Sequence, residues 1–183
     1  TTQPVEVRAA MMARLADGSR VSVGHLMTPS SVGLPLHLVD SNGRHVRSFG
    51  AEPPIEDLRN WHGMARQVAP GGDSTVWAGH IVKYQLEEWS TSGRLLQTLT
   101  LDRPWFPDVE RGGFIAPDAP PNPSLRALHR DRAGRLWAIT WIADDDWESA
   151  IGEGTDPYGR EYQTYQNPAD YFVDMLSHYA FAV

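Results

Sequence analysis

Four carboxylates within five residues, Asp144-Asp145-Asp146-Trp147-Glu148, are the densest group of metal-capable oxygens in the sequence. They follow directly on the apolar run Leu136 to Ile142, so a strand would deliver them at its end, and oxygen-rich loops of this kind bind calcium. Calcium, or the cation of a substrate, is the ion such a site would take. The spaced Asp-x-Asp-x-Asn-Gly form of a dedicated calcium loop is missing, and a solvated strand-to-loop transition is the simpler account. No other cofactor is expected.

Histidine supplies a second set. The seven histidines (25, 37, 45, 62, 80, 129 and 178) contain no His-Glu-x-x-His and no other paired ligand spacing. A zinc site would have to collect its ligands from distant segments. His62, which follows Trp61 in a loop, and His80, which ends an apolar run, are the pair placed to meet a ligand; ordinary packed or solvated histidines are the plainer alternative. Trp105, in Arg103-Pro104-Trp105-Phe106, and the run Pro117 to Pro123 put aromatic and proline residues into long connections, together with Tyr158, Tyr162, Tyr165 and Tyr171. Long loops on a rigid scaffold commonly carry binding, although Trp105 and Phe106 serve equally well as a cap on a core. There is no Gly-x-Ser-x-Gly elbow and no phosphate-binding glycine loop. The chain has no cysteine, which removes thiolate nucleophiles, disulfides and Cys-ligated zinc. No catalytic residue is assigned.

These side chains depend on short strands for their positions. In Ser124 to Asp146, Leu128 to Arg130 reads as one strand, Asp131-Arg132-Ala133-Gly134 as a turn, and Arg135 to Ile142 as a second strand, apolar on both faces and therefore in need of cover on both. The same strand–glycine turn–strand form recurs around Gly18 and Gly72, and Val76-Trp77-Ala78 echoes Leu136-Trp137-Ala138. A second hairpin type lies between these copies. Leu36 to Phe49 matches Leu86 to Leu99 position for position, with the Gly-Arg turns 50 residues apart, and both place polar residues outward at alternate positions. Thr75 to Ala78 and Leu136 to Ile142 are inner-strand candidates; Arg44 to Phe49 and Arg94 to Leu101 are outer ones. Ile55 to Trp61 could make two helical turns at most. Tandem four-stranded antiparallel units of about 50 residues are the blades of a β-propeller.

The pattern D-x-x-G-x-L-W-A, followed by a Gly-Arg hairpin, resembles the NHL-like six-bladed β-propeller proteins of bacteria, over most of residues 10 to 178. That resemblance implies an architecture shared by sugar-lactone hydrolases, lyases, sensor ectodomains and binding proteins, and by analogy it implies export from the cytoplasm. The calcium-dependent lactonases of this style hold their ion near the propeller axis with carboxylates and Asn, and those positions have no match here. The third unit departs from the pattern: its third strand is expected at Asp170 to Leu176, with Trp147 to Pro168 as a long inserted loop.

The reading is thus an all-β chain, residues 1–183 forming one propeller segment with blades near 10–50, 62–102 and 124–183. Three blades make an incomplete ring. Trp77, Trp89, Trp137, Leu136, Ile139 and Leu38 are expected between blades. The net charge of −7 and pI near 5.4 argue against nucleic acid or an anionic membrane surface, and no apolar run approaches a membrane span. The local basic group Arg126, His129, Arg130, Arg132 and Arg135 reads as turn and strand-edge charge. The expected function is a non-catalytic binding or scaffold module that recognises a small molecule, glycan or protein, with self-association through the open blade edges. The alternative is a metal-assisted hydrolase or lyase.

Overall fold

A computed structural model describes residues 11–26, 28–56, 61–100, 103, 105–106, 120, 122–155, 157–159, 161–165 and 179–182. The first blade is a four-stranded antiparallel meander of β1 (Met12–Arg14), β2 (Arg20–Val23), β3 (Leu36–Val39) and β4 (His45–Phe49). A single helical turn, α1 (Trp61–Met64), leads into the second, built from β5 (Arg66–Pro70), β6 (Thr75–His80), β7 (Gln85–Ser90) and β8 (Leu95–Thr100). The third unit pairs β9 (Ser124–Arg130) with β10 (Leu136–Ala143). The chain then makes a short 3-10 turn (Trp147–Ala150) and a separate hairpin, β11 (Ile151–Thr155) with β12 (Glu161–Tyr165), before β13 (Tyr179–Ala182) returns to the free edge of β10. The architecture is all-β, its blades stack in series, and the described blades do not close a ring.

Among the described residues one corner is used four times. In Leu15–Ser19, Asp40–Arg44, Ser90–Arg94 and Asp131–Arg135, the first residue's N–H donates to the last residue's carbonyl, and the glycine N–H donates back to the first carbonyl. The glycines lie at φ +83 to +87°, the left-handed conformation that completes a type I turn with a bulge and that a Cβ would strain. Asp40 and Asp131 fasten it further, each accepting two backbone N–H bonds within its own turn. The matched hairpins even share an irregularity: their registers slip at Leu38/Val39 and at Glu88/Trp89. The corner at Gly72 is different. No left-handed residue occurs there; the Gly71 N–H donates to the Thr75 carbonyl and the Gly72 N–H to Thr75 Oγ1.

Stacking follows from the two faces of each sheet. Ala13, Leu15, Val21, Val23, Leu36, Leu38 and Phe49 of the first blade pack on Val76, Ala78 and Trp89 of the second. The reverse face of the second blade, with Ala69, Trp77 and Leu86, packs on Leu125 and Leu128. β5 lies between, against β1 and β2 on one side and β9 on the other. Burying the Val, Leu and Phe side chains among them contributes about 1.5–3 kcal/mol each. Outer strands β4 and β8 are largely exposed, as their mixed polar sequences anticipate.

Three expectations change. The stretch expected as a loop from Trp147 to Pro168 contains a hairpin, cross-strand pairing running from Ile151↔Tyr165 to Thr155↔Glu161 despite Gly152 and Gly154. The strand beside β10 is Tyr179–Ala182, while Asp170 to Leu176 lies outside the described residues. Among the described residues Trp137 and Ile139 do not lie between blades: strand alternation turns Leu136 and Ala138 toward the second blade, so these two face away from it and Trp137 stays 39% exposed. Trp77, Trp89 and Leu38 do sit between blades, and Leu136 packs at the edge of the second seam.

Candidate functional site

The end of the second blade carries an unusual density of buried polar groups. Cross-strand register sets Arg66 of β5 opposite His80 of β6, and Ala78 opposite Glu87 of β7. Arg66, His80, Glu87 and Trp89 therefore share one sheet face, the one turned toward the first blade. Arg66 is 2% and Glu87 8% exposed. The alternate polar residues of the Leu86 to Leu99 hairpin were expected to point outward. A blade covered on both faces has no outward face, so alternation separates two seams instead of core from solvent.

Glu87 is the hub. Its Oε1 accepts from Gln85 Nε2 at 2.8 Å and from His80 Nε2 at 3.2 Å, and its Oε2 accepts from Trp89 Nε1 at 3.0 Å. Desolvation pushes its pKa up, but the bond from His80, the indole bond from Trp89 and the charge of Arg66 outweigh it and hold the carboxyl below its ordinary value. An ionised carboxylate only accepts, so His80 carries its hydrogen on Nε2. Burial lowers the His80 pKa despite Glu87, which keeps the imidazole neutral at neutral pH. Burial likewise brings Arg66 from 12.5 down to about 10, with Glu87 opposing; the guanidinium remains charged. Its Nη1 donates to the Gly63 and Ala65 carbonyls at 2.7 and 3.0 Å, fixing the end of α1. Arg66 Nε has no hydrogen-bond partner among the described residues.

This face forms one wall of a cavity of about 340 Å³, within the range of small-molecule sites. The opposite wall is the segment after β4, Gly50, Ala51, Glu52, Pro53 and Ile55, with Gly63, Lys83 and Leu95 completing the lining. Two contacts hold this roof. Gly50 lies at φ +99°, with its missing Cβ position only 2.6 Å from Leu36 Cγ, so any side chain there would lift the segment. The Ile55 N–H donates to the Gly33 carbonyl at 2.9 Å, tying the roof to the β2–β3 connection.

The first blade has a related feature at the matching position. His37, which corresponds to Glu87 in the hairpin repeat, is fully buried. Its Nε2 donates to the Gly24 carbonyl at 3.0 Å and its Nδ1 accepts from Ser48 Oγ at 2.7 Å, while Ser48 accepts from His45 Nε2 at 3.0 Å. Burial lowers its pKa as well, against the Gly24 bond.

Of the residues anticipated for ligand binding, His80 lines the cavity. Trp61 and His62 belong to α1, and their side chains lie outside the described residues. Trp105 is 38% exposed and packs on Tyr84 at 5.4 Å and on Phe106 at 6.0 Å, while Tyr84 stacks on Phe106 at 5.2 Å. Trp105 thus rests on the β6–β7 connection beside Lys83. Asp144, Asp145, Asp146 and Glu148 stand elsewhere, after β10 in the third unit. Asp144 Oδ1 accepts the Asp146 N–H, and Asp146 accepts from Ser149 Oγ and, through its carbonyl, from the Ser149 N–H, arresting the strand in the 3-10 turn. Among the described residues no three His, Asp or Glu side chains converge as metal ligands; a calcium ion there would draw further oxygens from backbone carbonyls. The basic group beside it is structural in part. Arg130 Nη1 donates across the seam to the Gly71 carbonyl, Arg126 lies 3.7 Å over the Trp141 ring, and Arg135 pairs with Asp131.

Sequence reasoning missed Arg66, Glu87, Lys83 and the roof. One signal was available: Glu87 shares its alternation with Trp89, a core tryptophan, and so had to share its burial.

No family model matches the sequence, and no curated protein is similar to it. Among solved structures, that of U3-55K matches with 11% identity and a TM-score of 0.38, over 86% of this chain and 37% of that one. The chain spans little more than a third of the length of U3-55K. No helix of the described residues is long and apolar enough to cross a membrane.

Proposed function

We propose that the chain is a propeller-type binding module whose small-molecule ligand seats in the cavity between the first two blades. The observation that carries this reading is the construction of that cavity: a sheet face with its polar groups locked to one another forms one side, and a tied-down loop forms the other. Glu87 is occupied by three donors, which suits a wall that keeps its shape and orients a ligand. The seam of stacked sheets supplies rigidity, and the roof supplies the access that a sheet-on-sheet contact lacks.

The test is a fragment screen on the isotopically labelled 183-residue chain, following the indole N–H resonance of Trp89, whose proton sits in the cavity wall. Fragments that bind should move that resonance and raise the thermal midpoint, as any ligand selective for the folded state must. The variant Ala51→Trp, which fills the cavity from the roof, should abolish both effects while unfolding cooperatively. Hits that leave Trp89 unmoved, or that survive Ala51→Trp, would refute the assignment.

A further inference from the structure

The hydrogen-bonding capacity of the cavity is unequally spent, and this deepens the proposal above, on which it rests. An ionised carboxylate offers about four acceptor sites, and Glu87 has three of them filled by His80, Gln85 and Trp89. The donors are less committed. Arg66 is 98% withdrawn from solvent (2% exposed), receives no carboxylate within 4 Å among the described residues, spends Nη1 on two neutral carbonyls, and has an unpartnered Nε. Lys83, half-buried, brings a second positive charge to the same lining. Glu87 favours the charged guanidinium electrostatically but does not hydrogen-bond it among the described residues, so the buried Nε keeps a donor unspent.

We propose that this cavity receives an organic monocarboxylate, its acid group drawn to Arg66 and Lys83 and its apolar body set against Ile55, Pro53 and Trp89. The apolar lining requires a body as well as a head. Glu52 and Glu87 in the same walls already match Arg66 and Lys83 in number, so a dianion is opposed more strongly than a single carboxylate. Glu87, the buried carboxylate, is already surrounded by three donors and so offers little to a cationic ligand.

Benzoate is the probe, with benzamide as its neutral match in shape, benzylamine as the cation and inorganic phosphate as the dianion-capable small anion. Each is titrated into the full chain at neutral pH, with the Trp89 indole resonance and calorimetry as readouts. Benzoate should shift Trp89 and bind at least about tenfold more tightly than benzamide or benzylamine, the scale of a charge-assisted hydrogen bond. Lys83→Gln, at the half-exposed rim where folding is not at stake, should weaken benzoate by about threefold to tenfold and leave benzamide unchanged. Arg66→Lys, which keeps the charge but loses the planar fork, should weaken benzoate further.

Benzamide or benzylamine binding at Trp89 as tightly as benzoate would overturn the carboxylate assignment and leave the cavity as a binding site. Phosphate binding more tightly than benzoate would overturn the choice of carboxylate over other anions. Benzoate affinity insensitive to Lys83→Gln would overturn the placement of the acid group. If no probe of any charge shifts Trp89, both this inference and the binding reading beneath it fall.

Discussion

The two faces of the second blade meet their neighbours in opposite ways. Toward the third unit, Ala69, Trp77 and Leu86 interlock with Leu125 and Leu128, and the contact is so close that a Cβ on Gly79 would stand 2.3 Å from Leu125 Cδ2. Toward the first blade the middle of the seam is equally apolar, but its end opens around Arg66, His80 and Glu87 beneath the Gly50–Ile55 segment. A single sheet thus has one side that only holds and another that both holds and leaves room. The difference arises from a few residues: a glycine where a leucine must fit on one face, and the charged hub of Glu87 on the other.

Substitutions can pull the two sides apart. The largest loss is expected in the closed seam, where Trp77→Ala should cost about 4 kcal/mol in urea unfolding, independent of pH and of any ligand. In the open seam Glu87→Gln should cost about 2 kcal/mol, because His80, Trp89 and Arg66 lose a charged partner in a buried setting; an unchanged midpoint would mean that Glu87 is effectively solvated. Gly50→Ala, forcing a side chain into a left-handed position against Leu36, should cost about 1–2 kcal/mol and impair benzoate binding more than its stability loss explains.

Acidity acts on the open seam and on the buried histidine of the first blade. His37 and His80 have folded pKa values below the ordinary 6.5, and Glu87 lies below its ordinary 4.5. In each case the unfolded chain takes up protons first as pH falls, so stability is complete above about pH 6.5 and declines below it, the histidines acting first and Glu87 at lower pH. Midpoints measured between about pH 7 and pH 5 should fall, and His80→Gln should remove part of that slope. A flat profile would contradict the buried, neutral state of both rings. At the bottom of the scale, Trp137→Ala should cost about 1 kcal/mol or less, since the third unit's Trp, unlike Trp77 in the same sequence signature, faces away from its neighbour.

That last pair shows what was legible in the sequence. Gly43, Gly93 and Gly134 announced their corners because a left-handed position admits few other residues, and the matched hairpins around them revealed the blades. His80 was found because it ends a strand. Glu87, His37 and Arg66 were not, because alternation tells two faces apart without saying what covers each. Trp137 misled for the converse reason: a strand apolar on both faces demands two neighbours, and the described structure supplies cover on one. The β11–β12 hairpin was hidden by two glycines of low strand propensity, and β13 by the distance along the chain to its partner, which no local pattern reports.

The repeated corner carries a consequence at the level of inheritance. In Asp40–Arg44 and Asp131–Arg135 every bond that shapes the turn begins and ends within five consecutive residues. A stretch of coding sequence as short as fifteen bases therefore specifies a complete bend, with no partner to be matched elsewhere. Duplicating a hairpin copies its own corner intact, so an array of this kind can lengthen by simple copying, and novelty is left to accumulate in what lies between the copies, as in the roofed seam.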